Sequence, residues 1–186
     1  MMGLSGTLVT LESGMLPLED IAVGLSRAPR FVGQTVLPWF VIDHILAGMV
    51  YAERAGWSKA IQLHFGLHDA HEAMTADVPT TFKTGDLRAI QRKLDARLYV
   101  ALGLYSPTWA EKDVVKELDE DMLLAEAYTL CPPATYERIV VERGHRKADH
   151  DHIVAVGEVL SWSQMGQMAA EEWLARIRQL IEEVQQ

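Results

Sequence analysis

The sequence predicts an all-α protein folded as a single domain, and three observations carry that expectation. From about residue 38 onward, apolar residues recur at three- or four-residue spacing. Only Arg138–Glu142 alternates over strand length. Capping residues, glycines and prolines punctuate the ends of the periodic segments. A chain of 186 residues fits one domain and can bury a substantial core.

Taken in order, residues 1–17 are rich in Gly, Ser, Thr and Leu and read as irregular or a short ribbon. Leu18 to Ser26 reads as a short helix whose first turn carries Glu19 and Asp20, where acids complement the helix dipole. Arg27–Pro38, with two prolines and Gly33, is a loop or broken helix. Trp39 to Ala55 is helical and stops at Gly56, a residue suited to the left-handed end of a helix. Ser58 caps a helix over Lys59–Met74. Pro79 to Gly85 connects it to a helix from Leu87 to about Leu104. Thr108 and Glu111 form a capping-box pattern for a helix to about Thr129, which Pro132 and Pro133 end. Ser161 to Gln164 reads as a second such device before a last helix to about Val184. Residues 131–160 are the least legible part. The total is about six helices.

Composition narrows the function. Seventeen Lys and Arg against 26 Asp and Glu give a net charge of −9. An acidic chain lacks the basic footprint that a nucleic-acid backbone requires, so a small substrate is expected rather than a polymer. No run approaches the roughly 18 apolar residues of a membrane span. The apolar start, Met1 to Val9, has no basic flank and is broken by Gly3 and Gly6, which makes a poor signal peptide. A single cysteine, Cys131, excludes an intrachain disulfide and a multi-cysteine zinc site. The cytoplasm is the expected compartment.

The chemistry centres on His68-Asp69, expected inside the apolar helix around Ile61–Ala70. Adjacent helical residues project about 100° apart, so both can reach one ion at the helix edge. Imidazole and carboxylate together suit zinc or another divalent transition metal. His44 lies in the apolar segment Val41–Ala47. Asp119 shares a face with Val115, Leu118 and Met122, whereas Asp121 points about 200° round from it and reads as a solvated charge. His64 and His71 flank the His-Asp pair, and His145 to His152 forms a further charged, histidine-rich run. The five tryptophans read mostly as core or interface anchors.

The order His44, His68-Asp69, Asp119 on three successive core-facing helices resembles the metal-ligand pattern of the HD superfamily of phosphohydrolases. The run from Gly66 through His68, Asp69, Glu72, Asp77 and Pro79 to Lys83 is similar to its compact nucleotide-cleaving branch. That branch holds 5′-deoxynucleotidases and the phage dATP triphosphohydrolases of the diaminopurine pathway. Asp20-Ile21-Ala22, Leu25-Ser26 and Arg30 to Thr35 resemble the phage-type phrase upstream, and Val115 to Asp119 through Glu126 resembles the one downstream. The similarity spans about residues 20–126, with a weaker echo in Trp162–Leu180. Gln34 stands where the family phrase has a histidine, and Phe40 to Asp43 departs from the usual residues before the first ligand.

The resemblance implies a helical bundle with one divalent transition metal (zinc, cobalt or manganese) in a central pocket, held by His44, His68, Asp69 and Asp119. The ion would acidify a water and polarise a phosphoryl oxygen. Glu72, one helical turn beyond His68, is placed to orient that water or carry its proton, and Asp77 is a second acidic assistant. Arg30, Lys83 and Lys116 are the cations expected at the phosphates. Leu18 and Ile21 are candidates for shaping the base pocket. The implied reaction is hydrolysis of deoxynucleotide phosphoesters, most narrowly dATP to deoxyadenosine and triphosphate, the latter able to bring its own magnesium. The alternatives are a 5′-deoxynucleotidase and a non-catalytic nucleotide-binding module. The resemblance also implies a homo-oligomer, with a hexamer as the family precedent.

Overall fold

The computed structural model describes residues 1–10, 12–163 and 167–186, and these are all-helical apart from isolated bridges. The helices are α1 Leu18–Leu25, α2 Val41–Arg54, α3 Lys59–Leu67, α4 Glu72–Thr75, α5 Gly85–Ala101, α6 Trp109–Leu130, α7 Pro133–Glu142, α8 His150–Ser163 and α9 Gln167–Gln185, with a short 3-10 turn at Arg30–Gly33. Among the described residues no helix is long and apolar enough to cross a membrane.

The central element is α2. Eleven of its fourteen residues are buried, so it is apolar nearly all round. A helix of that kind must be enclosed by others, and α8, α3, α6, α9 and α1 pack around it. Gly48 lets α3 come close, because a Cβ there would lie 2.1 Å from the Phe65 ring. At its start the Asp43 carboxylate accepts from the Phe40 N–H at 2.9 Å, which explains an acid at an otherwise apolar turn. Toward the end of α3, the Trp173 indole of α9 is fully buried and donates to the Gly66 carbonyl at 2.9 Å. At the periphery, α1 lies against α4 with Gly24 meeting Ala73, where an added Cβ would come within 2.7 Å. The N-terminal segment closes on itself through a Met2–Leu8 bridge, and the Ser5 hydroxyl and amide bond to Asp20 of α1.

Several boundaries follow the sequence. Ser58 accepts from the Ile61 N–H, Gly56 has φ +71°, and Thr108 and Glu111 form the expected reciprocal cap of α6. Four expectations are corrected. The single helix over Lys59–Met74 is two helices, α3 and α4, separated by a turn at residues 68–71. There the backbone tightens to bonds three residues back, His68 N to Phe65 O, Ala70 N to Leu67 O and Glu72 N to Asp69 O. Arg138–Glu142 belongs to α7 instead of a strand. Pro133 sits in the first turn of that helix, where its missing N–H costs nothing, and α7 packs on α6. The two prolines thus end one helix and begin the next. Ser161 and Trp162 lie within α8 and Ser161 bonds back to the Glu158 carbonyl, so they do not open a new helix, while Gln164 falls outside the described residues. About six helices become nine α-helical segments among the described residues, because α4 is split off from α3 and the least legible stretch holds α7 and most of α8.

Candidate metal centre

Three helices and one turn bring His44, His68, Asp69 and Asp119 together, with one potential ligand atom from each within 4.8 Å of the others. His44 comes from the middle of α2 and is fully buried. Its Nδ1 donates to the fully buried Glu126 carboxylate at 2.7 Å, leaving Nε2 to face Asp119 Oδ1 at 3.1 Å. His68 caps the C-terminal end of α3. Its Nδ1 lies 2.7 Å from the Phe65 carbonyl, which can only accept, so the proton sits on Nδ1 and the Nε2 lone pair faces inward. The two Nε2 atoms are 3.4 Å apart, and His68 Nε2 is 3.2 Å from Asp69 Oδ2.

Two imidazole lone pairs and two carboxylates converging at such distances need positive charge between them. Burial disfavours a proton on His68, yet Asp69 and Asp119 raise its pKa well above the usual range. Burial and Arg30 oppose a proton on His44, but Glu126 and Asp119 raise its pKa as well. Burial alone would raise Asp119 and Asp69, but the two imidazoles hold Asp119 well below the ordinary carboxylate range, and His68 chiefly does the same for Asp69. The cluster therefore demands cations. Both histidines have the outer nitrogen tied to an oxygen and the inner one turned toward the carboxylates of the cluster, the arrangement typical of metal-ligating histidine. These residues can hold a metal ion.

Beside the cluster lies a cavity of about 310 Å³ lined by Arg30, Asp69, Glu72, Asp77, Lys83 and Asp119. Burial first, then Asp69 and Asp77, push the Glu72 carboxyl up to about 7, against the pull of Lys83, whose Nζ is 3.0 Å from Glu72 Oε1. Burial also raises Asp77, partly offset by Arg30. Arg30 is itself buried, with Nε on Glu126 at 3.0 Å and Nη1 3.8 Å from Asp69. Phe31 and Val32 follow it with φ of 52° and 54°. Left-handed backbone of this kind costs a side-chain-bearing residue about 1–2 kcal/mol. The Arg30 N–H to Trp39 carbonyl bond and the Arg30–Glu126 pair hold it there, and Phe31 is thereby placed on the cavity wall.

The structure does not gather every residue singled out from sequence. Ile21 is completely buried in the core and Leu18 packs against that core; neither lines the cavities that flank the cluster. The apolar surfaces of the 310 Å³ cavity come instead from Phe31, Val78, Pro79, Leu123 and Ile139. Lys116 is largely exposed and belongs to a different cavity, about 530 Å³, between α5 and α6 on the His68 and Asp119 side. Glu72 opens α4 instead of continuing the helix of His68. Asp121 pairs with Arg146. His64 bonds Tyr99 through Nδ1 at 3.0 Å, and among the described residues the His145–His152 run joins no metal-capable group. Gln34 is exposed.

Two contributors were missed. Arg143, at the C-cap of α7, lines the cavity with Arg30 and Lys83, and nothing local in the illegible stretch announced it. Glu126 carries both His44 and Arg30, and here a signal existed, since an acid between Ala125 and Ala127 on a buried face must have partners. Glu126→Gln is expected to lower metal affinity about 10–100-fold, because an amide can donate to His44 Nδ1 as well as accept from it and so no longer fixes the tautomer that leaves Nε2 for the ion. It also strips Arg30 of its close counter-charge, a change that costs about 3–5 kcal/mol for a buried pair. Metal titration and denaturant melts of the variant measure both. Wild-type values in each would remove Glu126 from the centre.

A scan of the chain against protein-family models matches none, and a search of curated proteins returns no relative.

Proposed function

We propose that the chain is an HD-superfamily phosphohydrolase that cleaves deoxynucleotide phosphoesters. The observation that carries this reading is the convergence of His44, His68, Asp69 and Asp119 on the edge of a cavity that also holds Glu72, Asp77, Arg30 and Lys83. A divalent transition ion (zinc, cobalt or manganese) bound there supplies Lewis-acid chemistry at a phosphoryl oxygen. The protein does the rest. Glu72 orients the attacking water and receives its proton. Asp77 returns a proton to the leaving oxygen, a task suited to a carboxyl whose pKa burial has raised. Arg30 and Lys83 offset charge spreading over the phosphoryl oxygens.

The narrower reading is hydrolysis of dATP to deoxyadenosine and triphosphate. Phe31, Leu123 and Ile139 offer apolar surface to the base. Such a wall accepts the bare C2 edge of adenine and leaves a guanine 2-amino group without a partner, at about 1–3 kcal/mol, or roughly tenfold to a hundredfold in rate. A second reading, a 5′-deoxynucleotidase, draws support from charge. Arg30 already pairs with Glu126, Lys83 with Glu72 and Arg143 with Glu120, and Lys116 faces the other cavity, which leaves few uncommitted cations for three phosphates. Measuring kcat/KM of the metal-loaded protein on dATP, dGTP and dAMP decides between them. The expected result is dATP well ahead of dGTP, triphosphate as product, and loss of rate in Lys83→Ala. Preference for dAMP transfers the assignment to the nucleotidase reading, and no turnover of any nucleotide defeats both.

A further inference from the structure

We propose that the cavity of about 530 Å³ between α5 and α6 is a second ligand site, built to hold a nucleotide by its flat ring and its phosphates. None of its cations belongs to the cavity of Glu72 and Lys83, so it stands or falls apart from the proposed hydrolysis.

Charge points to the phosphates. Arg92 of α5 and Lys112 and Lys116 of α6 line this cavity, and all three are exposed. The cations of the neighbouring cavity are committed, Arg30 to Glu126, Lys83 to Glu72 and Arg143 to Glu120. Here the cations are not. Among the described residues Arg92 forms no ion pair, Lys112 only lies over the Trp109 ring at 5.4 Å, and Lys116 reaches no closer than 4.0 Å to Glu120. The two acids of the cavity are the committed groups instead. Asp95 lies 2.9 Å from His71 Nδ1, and Asp119 lies 3.1 Å from His44 Nε2. In a chain of net charge −9, three uncommitted cations around one cavity suit an anion.

The rest of the lining points to the ring. Leu67, Tyr99, Pro107, Trp109 and Val115 give the cavity apolar and aromatic walls. Trp109 is 84% exposed in the first turn of α6, where the reciprocal cap of Thr108 and Glu111 fixes the backbone. An indole is a large apolar surface that proteins usually bury. Left open beside uncommitted cations, it is a platform on which a base can stack, whatever the base. His64 adds a polar group in need of a partner. It is 2% exposed, its Nδ1 is 3.0 Å from the Tyr99 hydroxyl, and its Nε2 is buried without a hydrogen bond, 3.9 Å from Glu111. Buried polar atoms are normally satisfied. The volume falls within the roughly 300–1,000 Å³ of small-molecule sites. A stacking surface and phosphate cations in one cavity are the chemistry that recognises a nucleotide. Asp119 lines both cavities, so a nucleotide held here lies against the metal cluster without entering the cavity of Glu72 and Lys83.

The test is binding of ADP to the full chain in the presence of a chelator, which prevents turnover and metal-bridged binding. Calorimetry gives the affinity, and tryptophan fluorescence reports stacking. Wild type is expected to bind ADP with quenching, and more weakly as salt is raised. Trp109→Ala is expected to lose the quench and to weaken binding about tenfold to a hundredfold. Lys112→Ala is expected to weaken it about tenfold or more. Both side chains are exposed, so neither change threatens the fold. Weakening in Lys112→Ala with none in Trp109→Ala reduces the cavity to a groove for bare anions, such as a polyphosphate arm, and overturns the nucleotide site. Loss of binding in Lys83→Ala with none in Trp109→Ala places the nucleotide in the other cavity and overturns it equally. So does a wild-type chain that binds no ADP. Deoxynucleotide hydrolysis is measured separately on metal-loaded protein, so either reading can fail alone.

Discussion

Asp69→Ala is expected to abolish metal-supported phosphoester hydrolysis, with His68→Ala doing the same. A catalytic ion with few protein ligands cannot spare one, and Asp69 lies 3.2 Å from the inner nitrogen of His68 at the centre of the cluster. The substitution leaves Arg30 on Glu126 at 3.0 Å and His44 on Glu126 at 2.7 Å, so the buried scaffold around the site persists. Loss of activity can therefore be separated from loss of fold. An ion that binds the folded chain alone stabilises it by about 2.7 kcal/mol at a hundred times its dissociation constant. The wild-type melting temperature should rise accordingly on adding Zn²⁺, Co²⁺ or Mn²⁺, and that of Asp69→Ala should not. Near wild-type turnover by a metal-depleted Asp69→Ala protein would sink the assignment.

Glu72→Gln is expected to lower kcat by roughly 10²–10⁴ while the ion held by His44, His68, Asp69 and Asp119 is retained. The amide preserves the shape of a side chain that is 2% exposed and removes its ability to take a proton. Lys83 then keeps an acceptor in place of a counter-charge, so a modest rise in KM should accompany the change. The size of the kcat effect against the KM effect separates proton handling from substrate placement. A variant with undiminished kcat would move the proton to Asp77 or to solvent and leave Glu72 a binding residue only.

Much of the architecture was legible because it depends on neighbours in the chain. Ser58, Thr108 with Glu111, and Gly56 act within one turn of backbone, and the helix ends they mark are where the residues place them. The burial of His44 and the half-open position of Asp119 also follow from helical periodicity, since each shares its face with apolar residues. The region of α7 and α8 was not legible. Its β-branched Ile139 to Val141 run favours a strand locally, but no second strand exists among the described residues to pair with it, and packing on α6 makes it a helix.

The sequence by itself determined the helical class, the spacing of His44, His68, Asp69 and Asp119, and the presence of Glu72, Asp77 and Lys83 close behind them. Tertiary structure alone decided who meets whom. Glu126 joins His44 across 82 residues and Arg30 across 96, and no local pattern encodes such pairs. The same packing buried Ile21 in the core, turned Lys116 toward another cavity, and brought Phe31 and Arg143 to the site. It also broke the expected long helix at His68, which allowed Asp69, His71 and Glu72 to face one another. The physical reason is range. Caps and periodicity act over three or four residues, whereas the neighbours of a buried charge are set by how separate helices pack, because desolvated polar groups must find partners wherever the fold brings them.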